Sequence, residues 1–393
     1  MNGANSSAWG VLTGVRPAKI FTRMVREGLD FAHAAEEMAQ MGVTKERIWL
    51  CECAARESLK AESQLAKEDV CLYIGIPFCP SRCSYCSFVT HSVKKASKLV
   101  EPFLDMLKEE IEYAGSLLKE SGMRIKSVYV GGGTPTTLNA SQMERMFTWL
   151  NSSFDLSACC EFTVEAGRPD TIDADKLRVI HAAGADRVSI NPQSFNAEVL
   201  EAIGREHSVS AVYEAYEMAK NEGFKVINMD LIAGLPADSA KGFEHSLTEA
   251  IKLGAENITV HTLAIKRGSQ LNLEKCPVPD GEEVGVMLDT AAAMLSKAEY
   301  EPYYLYRQKR TAGSFENVGW AKSGTESFYN ICIMEELCGI LSLGGGGVTK
   351  MVNAETGFIL RSNNPKYPYE YNVSKEKIFK AKEDFFAFYK EIL

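Results

Sequence analysis

Between residues 71 and 263, short apolar runs alternate with longer stretches whose apolar residues recur at helical spacing. The runs at 71–76, 125–130, 161–165, 187–190, 226–232 and 258–263 predict strands. The stretches at 99–118, 140–150, 173–183 and 240–253, with a pair inside 198–222, predict helices. Strands that alternate with helices pair in parallel through right-handed crossovers, so this region predicts an α/β core. Six such strands suit either an incomplete barrel or an open doubly wound sheet. In both, ligands gather at the C-terminal strand ends.

The flanks follow a different pattern. Residues 1–66 predict a helical segment, because Pro17 suits a first helical turn and Ile48, Leu50, Cys53 and Ala54 are spaced for one buried face. Beyond residue 266 the alternation stops, leaving a helix expected at 282–298, a strand at 303–306 and a helical tail. The run Gly344-Gly345-Gly346-Gly347 reads either as a ligand loop or as a turn. The expected division is therefore a helical segment over 1–66, a core over 67–265 and an accessory, substrate-access region over 266–393.

Composition narrows the class. Of the 393 residues 46% are hydrophobic and 24% charged, the balance of a globular protein with a sizeable core. A net charge of −9 speaks against sequence-independent nucleic-acid binding, which needs a basic footprint. No apolar run approaches the ~18–20 residues that span a bilayer. The opening Met1-Asn2-Gly3-Ala4-Asn5 lacks the basic and apolar regions of a secretory signal, so the chain reads as cytoplasmic. In a reducing compartment, clustered cysteines point to metal binding or chemistry rather than disulfides.

Three of the eleven cysteines are clustered: Cys79, Cys83 and Cys86, spaced C-x3-C-x2-C directly after the first strand. Three thiolates can hold three irons of a [4Fe–4S] cluster and leave the fourth open to a chelating ligand. With His91 the same three would also suit zinc. Cys51, Cys53, Cys71, Cys159, Cys160, Cys276, Cys332 and Cys338 lack such spacing and read mostly as small buried hydrophobes.

After the second strand comes Gly131-Gly132-Gly133-Thr134-Pro135-Thr136, where glycines let the backbone approach a small ligand. Glu165 closes the third strand, Gln193 follows the fourth, and Arg205 lies in Gly204-Arg205-Glu206-His207. Asp230 interrupts the apolar fifth strand, a costly place for a charge unless it is paired or faces a site. His207 reads as structural rather than as a base.

Over residues 69–270 these motifs resemble the oxygen-independent coproporphyrinogen III dehydrogenase family of radical S-adenosylmethionine (SAM) proteins. Residues 9–17, 73–79 and 304–309 look like its HemZ branch. The resemblance implies a partial (β/α)6 radical SAM barrel with an N-terminal helical segment and a C-terminal α+β extension. It implies a [4Fe–4S] cluster on Cys79, Cys83 and Cys86. It also implies SAM contacts from Tyr73, Tyr85, Gly132, Gly133, Thr134, Glu165, Gln193, Arg205, Asp230 and Ala264. In these roles Arg205 would pair with a carboxylate, Glu165 would accept from an ammonium, and Gln193 and Asp230 would bind ribose hydroxyls. No catalytic residue is assigned.

The implied reaction is oxidative decarboxylation of coproporphyrinogen III propionates to the vinyl groups of protoporphyrinogen IX through a 5′-deoxyadenosyl radical. The implied partners are that tetrapyrrole and a low-potential donor of the flavodoxin or ferredoxin kind. Lys266, Arg267, Arg307, Lys309 and Arg310 are candidate partners for propionates, or simply a solvated basic run. Two positions depart from the family dehydrogenase. Phe88 stands where it has a further cysteine, and Gly75 where it has a histidine. The first departure is shared with the heme-chaperone branch. The alternatives are thus a heme carrier on the same fold, or another radical SAM reaction such as anaerobic heme methylation with ring opening.

Overall fold

A computed structural model describes residues 8–86, 91–266, 268–309 and 311–392. The chain divides into two compact units. One comprises residues 65–192, 204–228 and 336–393, and the other residues 1–64, 193–203 and 229–335.

The first of these carries the cysteine loop. Its strands are β1 (Asp69–Ile76), β2 (Arg124–Gly132), β3 (Glu161–Glu165), β4 (Arg187–Ser189) and the opening residues of β5 (Val226–Ala233). They pair in parallel in that order. Val70, Cys71, Leu72, Ile74 and Ile76 of β1 are all fully buried, the near-continuous apolar run of a strand covered on both faces. The intervening helices start and stop on local signals. Asn139 and Gln142 form a capping box at the start of helix Ala140–Ser153. Gly122, at φ 72°, ends helix Val100–Ser121 in the left-handed region that glycine enters at no steric cost.

The expected run of strands and helices is present, with boundaries shifted by a few residues. Not expected was a strand pairing with the free side of β1. Numbering on along the chain, β6 is Asn257–Thr262, β7 Tyr300–Arg307, β8 Glu316–Lys322, β9 Gly339–Gly344, β10 Val348–Asn353 and β11 Phe358–Asn363. β9 lies parallel to β1, with Leu72 opposite Leu341, and β10 and β11 follow as antiparallel neighbours. The run 344–347 is the turn between β9 and β10. There the Gly345 amide donates to the Gly75 carbonyl at 2.9 Å.

In the other unit, the rest of β5 neighbours β6, followed by antiparallel β8 and β7. Helices Pro17–Arg26, Phe31–Gln40 and Lys45–Glu62 make up the N-terminal segment. The buried Glu316 ties that segment down: its carboxylate accepts from Trp9 Nε1 at 2.7 Å and lies 3.1 Å from Arg47 Nε. No described helix is long and apolar enough to cross a membrane.

Candidate functional site

The cysteine loop leaves the C-terminal end of β1 and is held there by the glycine motif. The Gly133 amide donates to the Ile76 carbonyl at 2.7 Å, and the Thr134 amide to the Phe78 carbonyl at 2.8 Å. Neither Gly132 nor Gly133 could be another residue. Gly132 has φ 108°, and a Cβ added to it would stand 3.0 Å from the Ile76 backbone, while a side chain on Gly133 would strike the Phe78 carbonyl. The glycines therefore serve close packing of two strand ends, and in doing so they place the Thr134 hydroxyl 3.5 Å from Cys79 Sγ.

Within the loop the Cys86 amide donates to the Cys83 carbonyl at 3.0 Å, a tight turn that keeps the two thiols on one short segment. Cys83 is buried, while Cys79 and Cys86 are half-buried. Among the other cysteines Cys51, Cys71, Cys332 and Cys338 are buried, as small hydrophobes should be, whereas Cys160 is exposed. Phe88, Arg267, Arg310 and the side chain of His91 lie outside the described residues.

Around this loop, one unit brings together most of the residues singled out from sequence. Tyr73 stacks on Tyr129 with ring centroids 6.1 Å apart, and the Tyr129 hydroxyl donates to Glu165 at 2.5 Å. Burial pushes the Tyr73 and Tyr85 phenols well above their ordinary range, so both are neutral. Arg205 reaches the Tyr85 hydroxyl at 3.2 Å and the carbonyls of Gly167 and Asn191 at 3.1 and 3.2 Å. Its Nε, like Asn191 Oδ1, is buried with no hydrogen-bond partner among the described residues. A guanidinium held by carbonyls on one side with an unmet N–H on another suits an anionic or polar ligand. His207 is buried, and burial together with Arg205 holds it down at about 4, neutral at physiological pH.

Gln193, Asp230 and Ala264 belong to the other unit. Gln193 sits at φ 67°, uncommon for a residue with a side chain, and is fixed there by exchange of backbone hydrogen bonds with Asp230 and Ile232. Asp230 is paired: its carboxylate lies 3.6 Å from His261 Nε2. Ala264 bridges to Thr311. Arg307, one of the candidate propionate partners, is engaged structurally, donating to the Leu12 carbonyl at 2.6 Å and lying over the Trp9 ring.

The most informative residue missing from the sequence reading is Arg168. It is buried and donates to Asp170 through two nitrogens, to Ser81 Oγ at 3.1 Å and to Cys83 Sγ at 3.6 Å. A signal was present: an arginine three residues beyond Glu165, at the same strand end as the other polar groups.

Residues 73–250 match the family model of the radical SAM superfamily. The oxygen-independent coproporphyrinogen-III oxidase-like protein HemZ of Bacillus subtilis is 42% identical over 93% of this chain and 74% of its own length. The chain belongs to the HemZ family of radical SAM proteins. The heme chaperone HemW of Bacillus subtilis is 33% identical over 66% of this chain and 65% of its own. The coproporphyrinogen III oxidase HemN structure from Escherichia coli shares the fold, with a TM-score of 0.66 at 23% identity over 81% of this chain and 72% of that one. The cofactors of the superfamily are a [4Fe–4S] cluster and SAM, and three thiols on one loop fit three irons of such a cluster. The packing of the turn 344–347 accounts for Gly75. A Cβ there would come within 2.6 Å of the Gly345 carbonyl, so the histidine of the family dehydrogenase has no room beside this turn.

Proposed function

We propose that this protein is a radical SAM oxidoreductase acting on a tetrapyrrole, with the propionates of coproporphyrinogen III as the reacting groups. Cys79, Cys83 and Cys86 would hold the cluster. Tyr73, Tyr85, Gly132, Gly133, Thr134, Glu165, Arg205, Gln193, Asp230 and Ala264 would contact SAM. The observation that carries this reading is the three-thiol loop, strapped to the end of β1 by Gly133 and Thr134. When bound, the cluster and SAM supply one-electron chemistry that generates the 5′-deoxyadenosyl radical.

The chain's own residues would do the positioning. Arg205, anchored on two carbonyls and Tyr85, offers its buried Nε to a carboxylate. Glu165, oriented by the Tyr129 hydroxyl, suits an ammonium. The neutral Tyr73 and Tyr85 rings would line the site with apolar surface that excludes water while SAM is held. The tetrapyrrole follows from the names of the HemZ and HemN relatives. The test is anaerobic incubation with dithionite, SAM and coproporphyrinogen III. Release of CO2 with formation of vinyl product is expected; SAM cleavage without CO2 would overturn the substrate assignment.

A second reading, a heme carrier, is favoured by one residue: Phe88 occupies the place of the dehydrogenase's further cysteine. The HemW relative is named as a heme chaperone. Stoichiometric heme binding in a Soret titration, with no change in tetrapyrrole mass, would select it.

A further inference from the structure

Arg168 has a task that the positioning of SAM does not use. The residue is only 3% exposed, and its guanidinium is clamped in fork geometry on Asp170, Nε to Oδ1 at 2.9 Å and Nη2 to Oδ2 at 3.1 Å. That clamp fixes the plane of the fork and directs the remaining nitrogen, Nη1, at Cys83 Sγ, 3.6 Å away. Nη2 also donates to Ser81 Oγ, so the same side chain grips the loop at two points. Cys83 itself is buried. A cationic N–H aimed at a buried sulfur acts where water screens it little.

We propose that Arg168 is a positioning residue that sets the reduction potential of the cluster through its N–H···S hydrogen bond to Cys83. The inference rests on the reading that Cys79, Cys83 and Cys86 hold that cluster. One electron from a low-potential donor takes the [4Fe–4S] centre from its 2+ to its 1+ state. The added negative charge is spread onto the ligand sulfurs, where a fixed cation and an N–H stabilise it. Hydrogen bonds to the sulfurs are among the factors that set such potentials. Asp170 acts one step further out, holding the fork in place.

The test is a redox titration of the full-length protein after anaerobic reconstitution, followed by electron paramagnetic resonance of the reduced cluster, with iron and sulfide counted in each sample. Arg168→Met is expected to hold four irons and to shift the reduction equilibrium at least tenfold toward the oxidised form, a 59 mV more negative potential for one electron. If Arg168→Met does not load, Arg168→Gln, closer in shape and equally uncharged, is expected to show the same shift. An unchanged potential in whichever variant holds four irons overturns the proposal and leaves the cluster ligands standing. Failure of both variants to load also overturns it, because Arg168 would then build the site rather than tune it. A wild-type protein that takes up no iron refutes the ligand assignment itself.

Discussion

Glu110 and Lys382 form an ion pair of 2.9 Å in which neither side chain has any exposure. Glu110 also accepts from the Gly344 amide, from Asn364 Nδ2 and from the Tyr371 hydroxyl, while Lys382 donates to the Ser342 carbonyl. Helix Val100–Ser121, the turn 344–347 and the helix Lys375–Lys390 are therefore joined through one buried carboxylate. The turn in turn packs on Gly75 and Pro77, four and two residues before Cys79.

Removing one member of that pair leaves the other as an uncompensated charge in a fully buried site. Lys382→Met is expected to cost about 3–5 kcal/mol of stability. Denaturant unfolding measures it, and a loss below about 1 kcal/mol would show that the network is not what holds the turn.

Gly345 has no space for a side chain. A Cβ would meet the Pro77 ring at 2.7 Å, and proline at the root of the cysteine loop cannot swing aside as a flexible side chain would. Gly345→Ala is expected to cost about 1–3 kcal/mol, the range of an overpacked core, and to lower iron uptake on reconstitution. A variant that matches the wild type in both stability and iron count contradicts this coupling between turn and loop.

Much of this was legible in the sequence, and the rest was hidden for identifiable reasons. The strands β1 to β6 announced themselves because each is an apolar run between helices of 3.6-residue period, and the three cysteines because their spacing is rare. β8 was not read, because it runs Glu-Asn-Val-Gly-Trp-Ala-Lys, and Gly319 breaks the apolar pattern where the Tyr304 ring fills the space of a side chain. β9 was not legible either, only the glycine run that follows it, since its pairing with β1 lies more than 260 residues away in the chain. Arg168 escaped because its partners, Ser81 and Cys83, are as distant in sequence as they are close in space.

Asp238 supplies a pH dependence whose sign is opposite to that of an ordinary carboxylate. Its Oδ2 is buried with no hydrogen-bond partner among the described residues, and burial, with Glu283 nearby, pushes its carboxyl up to about 6. The folded protein therefore holds a proton that the unfolded chain has lost, so the contribution to stability is present below about 3.8 and is lost as pH rises through about 6. Asp238→Asn is expected to gain stability relative to the wild type as pH is raised from about 5 to about 7. Paired denaturant titrations at the two pH values check this, and a difference between the proteins that does not vary with pH contradicts it.

The most direct test is whether the cysteine loop supports reductive cleavage of SAM. Wild type and Cys83→Ala would each be reconstituted anaerobically, reduced with dithionite, and assayed for 5′-deoxyadenosine by mass spectrometry, with iron counted in parallel. The expected result is 5′-deoxyadenosine from the wild type alone, with only trace iron in Cys83→Ala. A Cys83→Ala protein that keeps a full cluster and still cleaves SAM, or a four-iron wild type that cleaves none, would contradict the account.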